Sequence, residues 1–240
     1  MTTEGRMTLD AQTIETLSCV SAATITTVLM KKGLRNLWVR GAKPVRPGQP
    51  RVVGRAFTMR FIPAREDLAT PSQWSSPRSS RIAVEAMPEG CIAVVDAMGI
   101  TDAGILGDIL VARMKMRGVT ALVTDGAVRD LAGVIATGLP VWCAGAASPP
   151  AVAGMTFVGW EEAVGCGGVA VFPNDIVVAD DDGAVLIPQA LLADVLAAAP
   201  EQERFDAWVL KQVEKGVALP SLYPPDVQTQ ARYARETGKA

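Results

Sequence analysis

Between positions 90 and 145 the chain reads GCIAVVDA (90–97), GDILVARMKMRG (107–118), TALVTDG (120–126), RDLAGVIATG (129–138) and LPVWCAG (139–145). The short runs of Val, Ile, Leu and Ala predict buried strands. The segments between them carry helical patterns that close on Gly118 and Gly138. Strand and helix alternating at this spacing predict an α/β layer with parallel pairing. Ligands of such layers gather beyond the carboxyl ends of the strands. Asp96, Asp108, Asp125 and Asp130 all fall near those ends, and the expectation is that they approach one place. Gly107-Asp108-Ile109-Leu110 also opens a helix, whose first backbone N–H groups lack intrahelical acceptors and suit a carboxylate or phosphate. An adjacent pair such as Arg129-Asp130 is commonly a solvated surface feature. In this setting the guanidinium can instead hold a carboxylate or enolate oxygen. Asp130, with further carboxylates reached through water, suits Mg²⁺, which keeps most of its waters.

Working outward, RVVGRAFTMRFIP (51–63) predicts a strand, and LSCVSAATITTVLMKKG (17–33) a helix opening near Ser18 or Ser21 and closing at Gly33. AREDLATPSQWSSPRSS (64–80) reads as a surface loop. GGVAVFPNDIVVADDDGAVLIP (167–188) predicts three short antiparallel strands, split at Pro173-Asn174 and at Asp181-Asp182-Gly183. A helical tail follows in QALLADVLAAA (189–199) and EQERFDAWVLKQVEKG (201–216). Phe205, Trp208, Val209 and Val213 share one stripe there, and a stripe that apolar needs a partner surface. The final SLYPPDVQTQARYARETGKA (221–240) is polar and proline-broken, expected to wrap a neighbour or fray.

The whole chain bounds the function classes. Its 240 residues are 49% hydrophobic and 20% charged with a net charge of −2, and no basic cluster points to nucleic acid. Cys19, Cys91, Cys143 and Cys166 form no CxxC pair and read as reduced thiols, which with a polar, leaderless start favours a cytoplasmic setting. Residues 131–160 carry no charge until Glu161, but glycines and prolines interrupt them repeatedly, so a buried helix, strand and turn are expected instead of a membrane span. The chain has no histidine, which removes imidazole acid–base chemistry and His-ligated metal. Lys115 falls within a helix, on an expected solvated face, and is not marked as a Schiff-base lysine.

Taken jointly, Gly107-Asp108-Ile109-Leu110, DGAVRD (125–130), GLPVWCAG (138–145) and the segment 167–188 resemble the RraA-like family. That family includes the class II 4-hydroxy-4-methyl-2-oxoglutarate/4-carboxy-4-hydroxy-2-oxoadipate (HMG/CHA) aldolases. The likeness is strongest over 90–188, where Asn174 stands in place of the family's usual glycine in Pro-Gly-Asp, and asparagine tolerates the left-handed turn. DAMGITDAG (96–104) is poorer in glycine than many relatives.

The resemblance implies an α/β fold, a swivelling β/β/α domain with flanking N-terminal and C-terminal helices. It covers 1–240 as a single domain, with a core of about 51–188 and a helical extension at 189–240. It implies Arg129 as the pyruvyl-binding arginine, Asp130 as the direct ligand of Mg²⁺, Mn²⁺ or another divalent metal, and Asp108 as an acid reaching that metal through water. Gly107 and Asp108 open the helix whose Ile109 and Leu110 N–H groups hold the substrate carboxylate. A further acid, Glu203 or Asp206, comes from a neighbouring copy in a homotrimer or homohexamer. The implied activity is cleavage of a 4-hydroxy-2-oxoacid to pyruvate through a metal-stabilised enolate, with oxaloacetate decarboxylation as a related outcome. Arg65, Arg78 and Arg81 are candidates for a distal carboxylate. The rival reading is a non-catalytic regulator of the same family that binds ribonuclease or helicase partners; a structural or sugar-binding module is a third.

Overall fold

The computed structural model describes residues 9–238. Ten strands and seven α-helices account for its regular structure. The strands are β1 (Lys43–Pro44), β2 (Val52–Pro63), β3 (Ile92–Asp96), β4 (Ala121–Thr124), β5 (Ala127–Val128), β6 (Val141–Cys143), β7 (Gly145–Ala146), β8 (Met155–Trp160), β9 (Ile176–Asp180) and β10 (Gly183–Ile187). The helices are α1 (Ala11–Ser18), α2 (Ala22–Lys31), α3 (Ser80–Ala86), α4 (Asp108–Met116), α5 (Leu131–Thr137), α6 (Leu192–Glu214) and α7 (Val227–Glu236).

The predicted parallel layer is present: β2, β3, β4 and β6 pair in parallel, in that order. β2 is long enough to serve two partners along its other edge. Val52–Arg55 pairs with β9 and Met59–Pro63 with β8, both antiparallel, with a register shift between Arg60 and Phe61. β9 and β10 then form a hairpin, so the sheet folds over itself.

Period-two side-chain alternation explains the layers. Ala93 and Val95 face a core shared with α3, α4 and α5. Ile92 and Val94 face the other way, onto Val177 and Ala179 of β9. Ile176 and Val178 of that strand face α1, α2 and α6. Strands buried on both faces need continuous apolar sequence, which is what the chain supplies. The far edge is closed as well. Val39 N–H donates to the Ala184 carbonyl and Leu186 N–H to the Leu37 carbonyl, both at 2.9 Å, so residues 37–39 strap β10. The Trp142 indole N–H donates to the Asp180 carbonyl at 2.7 Å and ties β6 to the same hairpin.

Several expectations change. The N-terminal helix opens at Ser21, whose hydroxyl caps Thr24 N–H, but a separate α1 precedes it, capped by Asp10. Of the three strands expected in 167–188 only β9 and β10 form; Val171 makes a single bridge to Val164. Asn174 adopts φ 72°, as its place in the turn requires. The loop 64–80 contains a 3₁₀ turn at Pro71–Ser75. The tail helix runs unbroken through Pro200. The last segment does not fray: α7 folds back so that Tyr233 packs edge-on against Phe205 and Trp208, ring centroids 5.1 and 5.3 Å apart. The stripe that was expected to need a partner surface finds it at Trp208 and Val209 in this chain's own Leu222 and Tyr233, leaving Val213 exposed. Residues 131–160 divide into α5, β6, β7 and β8, and no single helix among the described residues is long and apolar enough to cross a membrane.

Candidate active site

Arg129 and Asp130 sit where β5 turns into α5. Arg129 N–H donates to the Leu106 carbonyl at 2.8 Å, which seats the pair beside the loop that leads into α4. Glycines make that approach possible. A Cβ on Gly107 would stand 2.8 Å from Asp130 Oδ2, and one on Gly104 2.8 Å from the Arg129 amide nitrogen. Asp130 itself is left-handed, φ 52° and ψ 46°, as the residue capping α5 without a side-chain hydrogen bond. A non-glycine residue held at positive φ is uncommon and clusters at functional sites. Arg129 Nε is buried and has no hydrogen-bond partner among the described residues. The exposed Asp130 carboxylate takes no hydrogen bond or ion pair among them either, so both charged groups are available to a ligand.

The facing wall comes from β7, which pairs with β5 in parallel, and Ala147 N–H donates to the Val128 carbonyl at 2.9 Å. Between the two walls lies an open cleft of about 330 Å³ lined by Arg129, Asp130, Leu131, Ala146, Ala147 and Ser148. Nothing in the sequence singled out 146–148. Their placement depends on the short β5–β7 ladder, which has no periodic signature.

Asp108 opens α4 with Gly107 as its cap, and its Oδ1 accepts from Ile109 N–H at 2.7 Å. One of the two amides expected to hold a substrate carboxylate is therefore engaged by its neighbour's side chain. The Leu110 amide remains in the first turn, where the helix supplies no acceptor.

Asp96 and Asp125 do not join the site, contrary to the expectation of four converging acids. Asp125 accepts from Ala97, Gly99 and Gly167 N–H at 2.8, 3.0 and 3.0 Å, and Asp96 from Met98 and Gly165 N–H at 2.9 and 3.1 Å. Both are buried carboxylates whose charge is balanced by backbone donors, and they pin loops.

Within the chain, Glu203 and Asp206 face α2 and not the Arg129 cleft. Glu203 Oε2 accepts from Ser21 N–H and Oγ at 3.2 and 3.0 Å, an inter-helical cap on α2. Asp206 Oδ1 accepts from Gln202 Nε2 at 3.0 Å. Burial pushes its carboxyl pKa up, with the charge of Glu203 adding to the effect. The loop arginines are engaged locally: Arg65 forks onto Asp67 with two bonds of 2.8 Å, Arg78 reaches the Val158 carbonyl and Glu162, and Arg81 lies over Trp74. Lys115 donates to the Thr137 carbonyl at the end of α5, a structural role.

Among the described residues no three of His, Cys, Asp and Glu converge into a metal cage. The donors present, one free carboxylate with a second nearby, suit an ion that keeps most of its waters. They do not suit zinc, which takes several thiolate or imidazole ligands.

Comparison with known proteins places these features. A family model described as RraA-like, Aldolase/RraA, matches residues 10–186. A Halalkalibacterium halodurans protein named "Putative 4-hydroxy-4-methyl-2-oxoglutarate aldolase" is 34% identical over 123 residues, 51% of this chain. The chain spans only 57% of that relative's length. The crystal structure of Streptomyces coelicolor RraAS2, described as an unusual member of the RNase ES inhibitor RraA protein family, superposes with a TM-score of 0.75 at 32% identity. That match covers 85% of this chain and 98% of the other. An uncharacterized Pseudomonas syringae protein shares the fold at a TM-score of 0.78 and 22% identity, over 92% of this chain and 97% of its own.

Proposed function

Because this chain belongs to the RraA-like family, we propose that it is a lyase that cleaves a 4-hydroxy-2-oxoacid and releases pyruvate. The observation that carries the reading is the unpartnered, buried Nε of Arg129 beside the free carboxylate of a left-handed Asp130. A buried donor left without a protein partner is costly, and a ligand oxygen would satisfy it.

In this reading the first turn of α4 receives the substrate carboxylate at its free amides. Arg129 faces the 2-oxo oxygen, which gains negative charge as the C3–C4 bond breaks. Holding that charge with a placed guanidinium is the main contribution asked of the chain. The C4 hydroxyl proton passes to a water held by Asp108, the C4 carbon becomes the carbonyl of the leaving aldehyde or ketone, and the bonding pair stays on C3. Protonation at C3 completes pyruvate. Asp130 would hold a divalent ion such as Mg²⁺ or Mn²⁺ directly, with Asp108 reaching it through water; once bound, such an ion polarises the 2-oxo carbonyl. The same residues would decarboxylate oxaloacetate, since loss of CO₂ leaves the same enolate.

A homotrimer or homohexamer belongs to this reading, with one copy's acid reaching the next copy's cleft. Asp206 suits that part better than Glu203, which is tied to Ser21, whereas only one Asp206 oxygen has a partner among the described residues. The test is pyruvate release from a panel of 4-hydroxy-2-oxoacids and oxaloacetate, with Mg²⁺ or Mn²⁺ and with EDTA. Metal-dependent, EDTA-sensitive release is expected; no release from any of them would sink the reading. The likeness to an RNase ES inhibitor family member favours one alternative, a regulator, which predicts inhibition of an RNase E-type nuclease in place of turnover.

A further inference from the structure

Resting on the lyase reading, we infer that Gly133 is a positioning residue: by lacking a side chain it fixes where the Asp108 carboxylate stands. Gly133 is the third residue of α5, within the helix, and its φ is not positive. Nothing in the backbone there asks for glycine, and a helix interior favours alanine. A glycine held against that preference points to a packing reason. The reason lies across the contact between α4 and α5. A Cβ on Gly133 would stand 2.4 Å from Asp108 Oδ2, 3.0 Å from its Cγ and 2.8 Å from its Cβ. The Asp108 side chain therefore rests on the bare face of Gly133.

Both oxygens of Asp108 are thereby placed. Oδ1 accepts from Ile109 N–H at 2.7 Å, and Oδ2 is set against α5. The two helices have little room to give way. Val111 and Met114 of α4 and Val134 of α5 are fully buried in one core, and close-packed interiors yield little. Beyond them Lys115 Nζ donates to the Thr137 carbonyl and ties the far ends of the helices together. A methyl group at 133 would thus displace the Asp108 side chain, and with it the water that takes the C4 hydroxyl proton. The arrangement is reciprocal. Asp130, at the start of α5, meets Gly107 before α4, and Asp108 of α4 meets Gly133 within α5. Both contacts are made inside one chain, so the inference does not depend on what a neighbouring copy contributes.

The experiment compares Gly133→Ala with the parent, as full chains with Mg²⁺, for pyruvate release from 4-hydroxy-2-oxoglutarate and from oxaloacetate, and for the urea midpoint. On the hydroxy acid kcat should fall by about 10- to 100-fold, as an error of about 1 Å in placement does, with KM changed less than roughly threefold. Oxaloacetate has no hydroxyl proton to give up, so its decarboxylation should fall less. The substitution is then repeated in an Asp108→Gly background, where there is no side chain to displace. There it should leave the residual rate unchanged and raise the midpoint, since alanine suits the helix better. With Asp108 present it should raise the midpoint less, or lower it. Parent kcat in a folded Gly133→Ala protein, or equal midpoint shifts in the two backgrounds, overturns the inference and leaves the lyase reading standing. If Gly133→Ala does not fold, Asp108→Gly combined with Gly133→Ala should restore folding, and failure to restore it also overturns the inference. A parent that releases pyruvate from neither acid sinks the lyase reading instead, and the midpoints alone then decide whether Gly133 seats Asp108.

Discussion

Arg129→Ala should lower kcat/KM by about 10²–10³, roughly 3–4 kcal/mol of lost charge stabilisation. Its stability in urea should stay within about 1 kcal/mol of the parent, because Nε holds nothing in the fold. Arg129→Lys should fail similarly, since a point charge does not reproduce the planar donor fork. Near-normal turnover in a folded Arg129→Ala protein would remove the residue from the mechanism. Asp130 separates charge from conformation: Asn tolerates positive φ whereas Ala costs about 1–2 kcal/mol there. Asp130→Asn should therefore keep its unfolding midpoint and lose metal stimulation, and Asp130→Ala should lose both. Unchanged Mg²⁺ affinity by calorimetry in Asp130→Asn would place the metal elsewhere. The cysteines give a fourth check. Cys19 is exposed while Cys91, Cys143 and Cys166 are buried, and burial raises the thiol pKa of Cys143 and, further, of Cys166. One thiol should react with Ellman's reagent in the native protein and all four after unfolding. At this scale the sequence showed where Arg129-Asp130 lies, just after a strand, while a role for the pair came only from its combination with Gly107-Asp108-Ile109-Leu110 and the later segments. It could not separate Asp96 and Asp125 from the others. Four aspartates at strand ends look alike until the fold shows which ones receive backbone N–H groups.

Elements were legible where their apolar pattern was long or their caps explicit. The parallel strands, α4 and α5 announce themselves by Val/Ile runs and closing glycines. α1 did not, because its eight residues bury only Thr13 and Leu17. α7 did not either: apart from Val227, Ala231, Tyr233 and Ala234 it is polar, and its one buried side chain is Tyr233. Its stability comes from tertiary contact with Trp208 and Phe205, which local pattern does not encode. The join between α2 and α6 offers a prediction with a definite sign. The Asp206 carboxyl is raised above its ordinary 3.8 by burial, so the native state binds that proton more readily than the unfolded chain does. Ionised Asp206 then opposes folding above the raised value, and the penalty disappears as pH falls toward 3.8. Asp206→Asn should be at least as stable as the parent at neutral pH, with the difference shrinking on acidification. Urea midpoints measured from pH 7 down to the acid limit check it; a gap that widens toward acid would mean the carboxylate is favoured in the fold. Glu203→Ala, by contrast, removes the acceptor of Ser21 N–H at the start of α2, leaving the Ser21 cap on Thr24 in place, and should cost about 1 kcal/mol at neutral pH.

Truncation after Pro200 tests the whole assembly. It removes the small cluster of Trp208, Val209, Leu222 and Tyr233 along with the Glu203 carboxylate that accepts from Ser21, but keeps Val195 and Ala199 in the core against β9 and β10. The shortened chain should fold, unfold at lower urea, and lose both oligomer and activity. An active monomer by light scattering, at assay concentrations, would rule out a site shared between copies. The layered architecture was legible from strand composition; the way the sheet folds over was not, because it depends on β2 serving two partners along one edge. That folding-over bears on a hazard common to β-rich chains. An open sheet edge offers unpaired amides and carbonyls to any passing strand, inviting fibrils or swapped polymers. Here β10, the terminal strand on its side, already spends Leu186 N–H and the Ala184 carbonyl on the strap at 37–39. Heat or crowding would have to peel that strap away before one molecule could template another, so resistance to aggregation in this protein resides in three residues remote from its cleft, held in place because Val39 is buried in the core and Leu37 packs against it.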